Sequence, residues 1–124
     1  MSGRVVHFEI PFDDAERAHA FYREAFGWNL MDVPGMDYTM VTTGPTGDQG
    51  ASEPGYINGG MLARQSPNTS PLVVVDVEDI DAALATIESL GGQTLSRKQP
   101  VGEMGWAAYF QDVEGNTLGL WQSR

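Results

Sequence analysis

His7 and Glu9 are the residues of this 124-residue chain whose types and spacing could do chemistry together. Both lie in the run Val5-Val6-His7-Phe8-Glu9-Ile10. In an extended strand, side chains alternate between faces, so His7 and Glu9 share one face while Val6, Phe8 and Ile10 share the other. The apolar set must pack under a helix, which leaves the imidazole and the carboxylate pointing away from it. Facing a cavity, such a pair could bind a metal or relay a proton. Facing neighbouring strands, it is a buried polar pair bonded within the sheet. The residues leave both readings open. A zinc site draws on at least three protein groups, and this pair supplies two. His19 falls on the polar side of a helical pattern and is expected in solvent.

Trp28, Tyr38, Trp106, Tyr109 and Trp121 fall in strand-like regions. Aromatic walls with a few polar groups suit flat organic ligands, and the competing reading is core or dimer packing. Serine and cysteine nucleophiles find no support: no serine has a nucleophile-elbow context, and the chain has no cysteine. The glycines between Thr43 and Gly55 lack the Lys-Ser/Thr of a phosphate cradle, so that segment reads as a loop.

The elements that must position these residues occur twice. Val5 to Ile10, Asp14 and a helical pattern to Gly27 are repeated as Leu72 to Val75, Asp79 and a helical pattern to Gly91-Gly92, at an offset of 65. In the first helix Ala18, Phe21, Tyr22 and Ala25 are spaced to face a sheet, with Asp13 as N-cap and Glu16 completing a capping box. In the second, Ile80, Ala83, Leu84 and Ile87 do so, with Asp79 as N-cap. Strand-like runs follow each helix: 28–31, 38–42 and 56–63, then 93–96, 106–111 and 116–122. Each half therefore reads as strand, helix, three strands. At the same offset Leu72 and Val74 stand where the first half has His7 and Glu9, so the second half supplies no matching ligands.

Seven basic against 17 acidic residues give a net charge of −10, which disfavours nucleic acid and anionic membrane as partners. No apolar run is long enough to span a bilayer, no secretion signal is evident, and the absence of cysteine fits a reducing compartment, so a cytoplasmic protein is expected. Asn68-Thr69-Ser70 matches a glycosylation acceptor but reads as a connector turn.

The stretch Val6-His7-Phe8-Glu9-Ile10-Pro11, with Asp14, Phe21-Tyr22 and Phe26-Gly27-Trp28, resembles the vicinal oxygen chelate superfamily, the glyoxalase, bleomycin-resistance and extradiol-dioxygenase group. Gly59-Gly60-Met61, Val75 to Asp81, Leu90-Gly91-Gly92 and Asp112 to Trp121 extend the likeness over nearly the whole chain. The resemblance implies an α+β fold of two paired βαβββ modules, 4–63 and 71–122, forming a half-open mixed β-barrel in one domain, usually in a homodimer. Metal-dependent members place ligands at positions that fall here on His7, about Gly60, about Leu72 and Gly119, of which only His7 can bind a metal. The expectation is a protein that holds a small organic molecule without a catalytic metal or other cofactor. Its site would combine His7 and Glu9 as candidate catalytic groups with Trp28, Tyr38, Gly60, Trp106, Tyr109 and Trp121 as candidate ligand contacts. The alternative is an enzyme: a metal-dependent lyase, isomerase or dioxygenase, or a metal-free catalyst using His7 or Glu9 as base.

Overall fold

The computed structural model describes residues 3–124. They divide into two compact units, residues 7–71 and residues 3–6 with 72–124.

The first unit holds β1 (Val5–Phe12) from His7 onward, α1 (Ala15–Phe26), β2 (Asn29–Asp32), β3 (Thr39–Thr42), β4 (Thr46–Gly47), β5 (Gly50–Ala51) and β6 (Gly59–Ala63). Its main sheet runs β2-β3-β6-β1. β6 lies parallel to β1, and the other pairs are antiparallel. Glu9 is opposite Gly60 and Ile10 opposite Met61. The loop expected at 43–55 contains the small β4–β5 hairpin, tied down by Asn58, which accepts from the Thr43 N–H and donates to the Thr46 hydroxyl.

The second unit holds β7 (Leu72–Asp76), α2 (Ile80–Ser89), β8 (Gln93–Val101), β9 (Gly105–Gln111) and β10 (Thr117–Ser123). Its strands run β7-β10-β9-β8, with β10 parallel to β7 and the rest antiparallel. Residues 3–6 attach at its edge, where the Asp76 N–H reaches the Arg4 carbonyl at 2.8 Å. In both units the opening strand pairs with the last, the last with the third and the third with the second. The sequence repeat is thus a repeat of topology.

Both helices start on an aspartate. Asp79 accepts from the Ala82 N–H at 3.1 Å as expected. In α1 the cap is Asp14, which accepts from the Arg17 N–H at 3.1 Å, and not Asp13. Asp13 is drawn off by Arg64, whose Nε reaches its carboxylate at 2.9 Å. Gly27, in the left-handed conformation, ends α1 by donating to the Arg23 carbonyl. Ile80 and Leu84 of α2 are buried with Ala108 and Leu120, and Ala83 and Ile87 pack against them. Each fully buried aliphatic side chain of this kind contributes about 1.5–3 kcal/mol.

α1 packs differently from its heptad pattern. Phe21 is 60% exposed, and the half-buried residues are Ala15, Ala18, His19 and Tyr22. Two contacts set this rotation: the Tyr22 ring stacks on Trp28 at 5.1 Å, and His19 Nε2 sits 3.1 Å from the hydroxyl of buried Thr39. His19 also lies edge-on to Phe12. It is therefore a packing residue of the helix–sheet interface, contrary to the solvated position its spacing suggested.

The turn between β9 and β10 is organised by Asp112. One of its oxygens accepts from the Glu114 and Asn116 N–H groups at 2.8 and 2.9 Å, and the other from the Asn116 amide at 3.1 Å. The backbone and side chain of Asn116, and then Glu114, hold the Asp112 carboxyl below its ordinary range. A carboxyl shifted downward stabilises the fold above its unfolded-state value, and that contribution disappears as pH falls through the folded-state value. Asp112→Ala is therefore expected to lower the melting temperature at neutral pH and to have a smaller effect in strong acid, as read by thermal melts across pH.

Candidate functional site

The face of the first unit turned away from α1 carries His7, Glu9, Tyr38 and Gly60. Strand alternation puts Phe8 and Ile10 on the helix side, where the Phe8 ring lies 5.8 Å from Trp28. His7 and Glu9 take the opposite side. Tyr38, just before β3, reaches across β6 to join them. Its hydroxyl donates to Glu9 Oε2 at 2.8 Å and lies 2.7 Å from His7 Nε2. Asn68, in the connector after β6, donates its amide to Glu9 Oε1 at 3.0 Å.

With Glu9 as a carboxylate, these contacts assign the protons. A phenol has one proton, and Tyr38 gives it to Glu9, so its oxygen must accept from His7 Nε2–H. His7 is then the Nε2–H tautomer. Burial lowers the His7 pKa from its ordinary value of 6.5, and the Glu9 charge partly opposes the shift. The imidazole is neutral at neutral pH. Its Nδ1 has no hydrogen-bond partner among the described residues, yet none of their buried side-chain polar atoms lacks one, so Nδ1 faces accessible space.

Glu9 and Asn68 are nearly inaccessible, at 6% and 5% exposure. A buried carboxylate demands strong donors, and the Tyr38 hydroxyl and Asn68 amide supply two. Gly60 makes room for this arrangement. A β-carbon there would sit 1.8 Å from the Tyr38 hydroxyl oxygen. The phenol thus occupies the space in which any side chain at position 60 would begin.

The lowered pKa of His7 has a consequence for stability. Above 6.5 both folded and unfolded chains hold the ring neutral. As pH falls below that value the unfolded chain takes up the proton first, so folding is weakened until the lower folded-state pKa is passed. The urea midpoint is expected to fall over this acid range in the wild type, and the His7→Ala variant is expected to lack that component.

The remaining candidates lie elsewhere. Trp28 is on the α1 side of its sheet, in a cluster with Phe8, Tyr22 and Phe26. In the second unit, Trp106 packs against the α2 core and has two cations near its ring, Lys98 Nζ at 4.6 Å and Arg124 at 4.7 Å from the ring centre. Tyr109 and Trp121 are on the opposite face of that sheet. Tyr109 lies over Gly119, where a β-carbon would be 3.3 Å from its ring, and Trp121 donates to the Ser123 hydroxyl at 3.2 Å. The site thus brings together His7, Glu9, Tyr38 and Gly60, while Trp28 and Trp106 belong to helix-facing surfaces. Sequence reasoning missed Asn68. A connector residue 59 positions from Glu9 gives no local sign of pairing with it.

The donor set does not fit a resident catalytic metal. Among the described residues no three or more His, Cys, Asp or Glu side chains group so as to hold an ion. His7 Nε2 and Glu9 Oε2, the pair that could start such a site, are both engaged by one phenol.

Comparison with known proteins agrees with this fold. Residues 4–44 match the family described as Bleomycin resistance protein-like N-terminal. A glyoxylase-like domain-containing protein of Didymella fabae is 29% identical over 97% of this chain and 94% of its own. A Mycobacterium bovis protein described as "Putative glyoxylase CFP32" is 26% identical over 93% of this chain, which spans only 44% of that relative. A substituted form of the Streptomyces coelicolor methylmalonyl-CoA epimerase, solved in complex with 2-nitronate-propionyl-CoA, has the same fold, with a TM-score of 0.64, 18% identity and coverage of 99% of this chain and 96% of its own. The chain is thus similar to glyoxalase-like and bleomycin-resistance-like proteins, the group its sequence motifs resemble.

Proposed function

We propose that this protein binds a small organic molecule on the first unit's open face, against His7 and Tyr38, without a catalytic metal or other cofactor. The carrying observation is the Tyr38 hydroxyl seated between His7 and Glu9, where it engages both groups that a metal would need. His7 Nδ1 offers an acceptor for a ligand O–H or N–H, and the Tyr38 ring offers a flat apolar contact. Tyr109 and Trp121 form a comparable aromatic surface on the second unit and are further candidate contacts.

The two modules, 4–63 and 71–122, act in this proposal as one domain, in a homodimer in the cytoplasm. Exposed Phe21 and Phe26 on α1 and Met31 on β2 provide apolar surface for self-association. No described helix is long and apolar enough to cross a membrane. The net charge of −10 favours cationic over anionic ligands.

Saturation-transfer NMR with a panel of aromatic amines and phenols, in EDTA, tests the binding reading. Binders should appear without metal, and His7→Ala should weaken them about tenfold or more, the effect of losing a central polar anchor. Binding that requires added zinc, or that is indifferent to His7→Ala and Tyr38→Phe, would refute it.

A further inference from the structure

We propose that His7 is a metal-independent Brønsted base, taking a proton at Nδ1 from an organic carbon acid while Tyr38 and Glu9 move the resulting charge away from the ring. The proposal rests on the binding reading above and adds a reaction to it.

The geometry supplies each step. Nδ1 is the accessible, unprotonated nitrogen, because Nε2–H is committed to Tyr38. When the C–H bond of the substrate breaks and its proton bonds to Nδ1, the ring would become an imidazolium in a setting that disfavours charge. The relay removes that penalty. The Nε2 proton passes to the Tyr38 oxygen as the Tyr38 proton passes to Glu9 Oε2, over contacts of 2.7 and 2.8 Å. His7 ends neutral as the Nδ1–H tautomer, Tyr38 is again a phenol, Glu9 is an uncharged acid, and the negative charge has moved to the substrate. Loss of the Nδ1 proton to product or solvent, as the other two protons move back along the relay to Tyr38 and His7 Nε2, restores the site. Asn68 is a positioning residue: its amide holds the other Glu9 oxygen, so that Oε2 stays aimed at Tyr38.

The same geometry restricts the substrate. The Tyr38 hydroxyl and one Asn68 N–H are directed at Glu9, and Asn68 is itself buried, so neither of these two donors is aimed at a new oxyanion. An enolate formed here would lack the stabilisation that acyl and enediolate chemistry requires. The substrate class is therefore a flat carbon acid that delocalises or expels its own charge, such as a nitroaromatic or a compound with a leaving group adjacent to the acidic C–H.

Nitrobenzisoxazole is a suitable probe. Removal of its single acidic proton forms a nitrile as the N–O bond breaks, and the electron pair ends on a coloured nitrophenolate. With EDTA present, the wild type should convert it at least about tenfold faster than His7→Ala, a conservative share of what a positioned base contributes. Tyr38→Phe keeps the ring over Gly60 but cuts the relay, so it should lose most of that advantage. Long-range nitrogen–proton NMR of the His7 ring should show Nε2 protonated in the wild type and a mixture of tautomers in Tyr38→Phe. Conversion no faster than in His7→Ala, although the probe shifts the His7 resonances, would overturn the base and leave the binding reading standing. An Nδ1–H tautomer in the resting protein would also overturn it. A probe that shifts nothing at millimolar concentration would overturn both.

Discussion

Gly60→Ala is expected to destabilise the protein by about 2 kcal/mol, the worth of the two Tyr38 hydrogen bonds it breaks, and to abolish ligand binding on the open face. The added β-carbon would fall 1.8 Å from the Tyr38 hydroxyl oxygen and 2.1 Å from Cζ, so the ring must leave its place between His7 and Glu9. The sign of the effect is diagnostic. Glycine inside a strand is ordinarily a liability, and replacing it with alanine stabilises by roughly 0.5–1 kcal/mol. In a Tyr38→Ala background, where nothing stands in the way, that ordinary gain should return. Denaturant unfolding of the four proteins of this double-mutant cycle measures the coupling, which should be about 2–3 kcal/mol.

Glu9→Ala is expected to cost about 3 kcal/mol or more, because it strands two donors at once. Asn68 is 5% exposed and has no ready exchange with water, and Tyr38 would keep His7 as its partner but lose its acceptor. Glu9→Gln separates charge from shape. Its single carbonyl oxygen can accept from one of the two donors, while its NH2 faces the other, so the expected loss is roughly half that of alanine. Thermal unfolding of the two variants checks the order. Equal losses would mean that volume, and not the hydrogen-bond set, sustains this part of the first unit.

Much of this arrangement was legible in the sequence, and for identifiable reasons. Alternation alone placed His7 and Glu9 on one face, and the repeat of Asp-capped helix and glycine stop foretold two units of like topology. Leu72 and Val74 marked the second unit as lacking the polar pair. Alternation could also have separated Trp106 from Tyr109 and Trp121. Positions 106 and 109 differ in parity within one strand, and Trp106 indeed packs on the α2 side. Other features depend on contacts that no local pattern encodes. The heptad spacing of α1 offered Phe21 as a core residue, but the Tyr22–Trp28 stack and the His19–Thr39 hydrogen bond turn another stripe inward. Asn68 looked like a connector residue and is one, yet its amide reaches Glu9 from across the unit. Tyr38 read as an aromatic wall, whereas its hydroxyl is the hub of the site. That role appears only when Gly60 is seen beneath it.

The Tyr38 phenol stands between His7 Nε2 and Glu9 Oε2, the pair from which a metal centre there would start. A crystal structure of the wild-type protein grown with zinc in molar excess tests it most directly. Tyr38 Oη is expected still to bridge His7 and Glu9, with no anomalous zinc peak on that face. A zinc ion bonded to His7 Nε2 and a Glu9 oxygen, with the tyrosine swung aside, would contradict it.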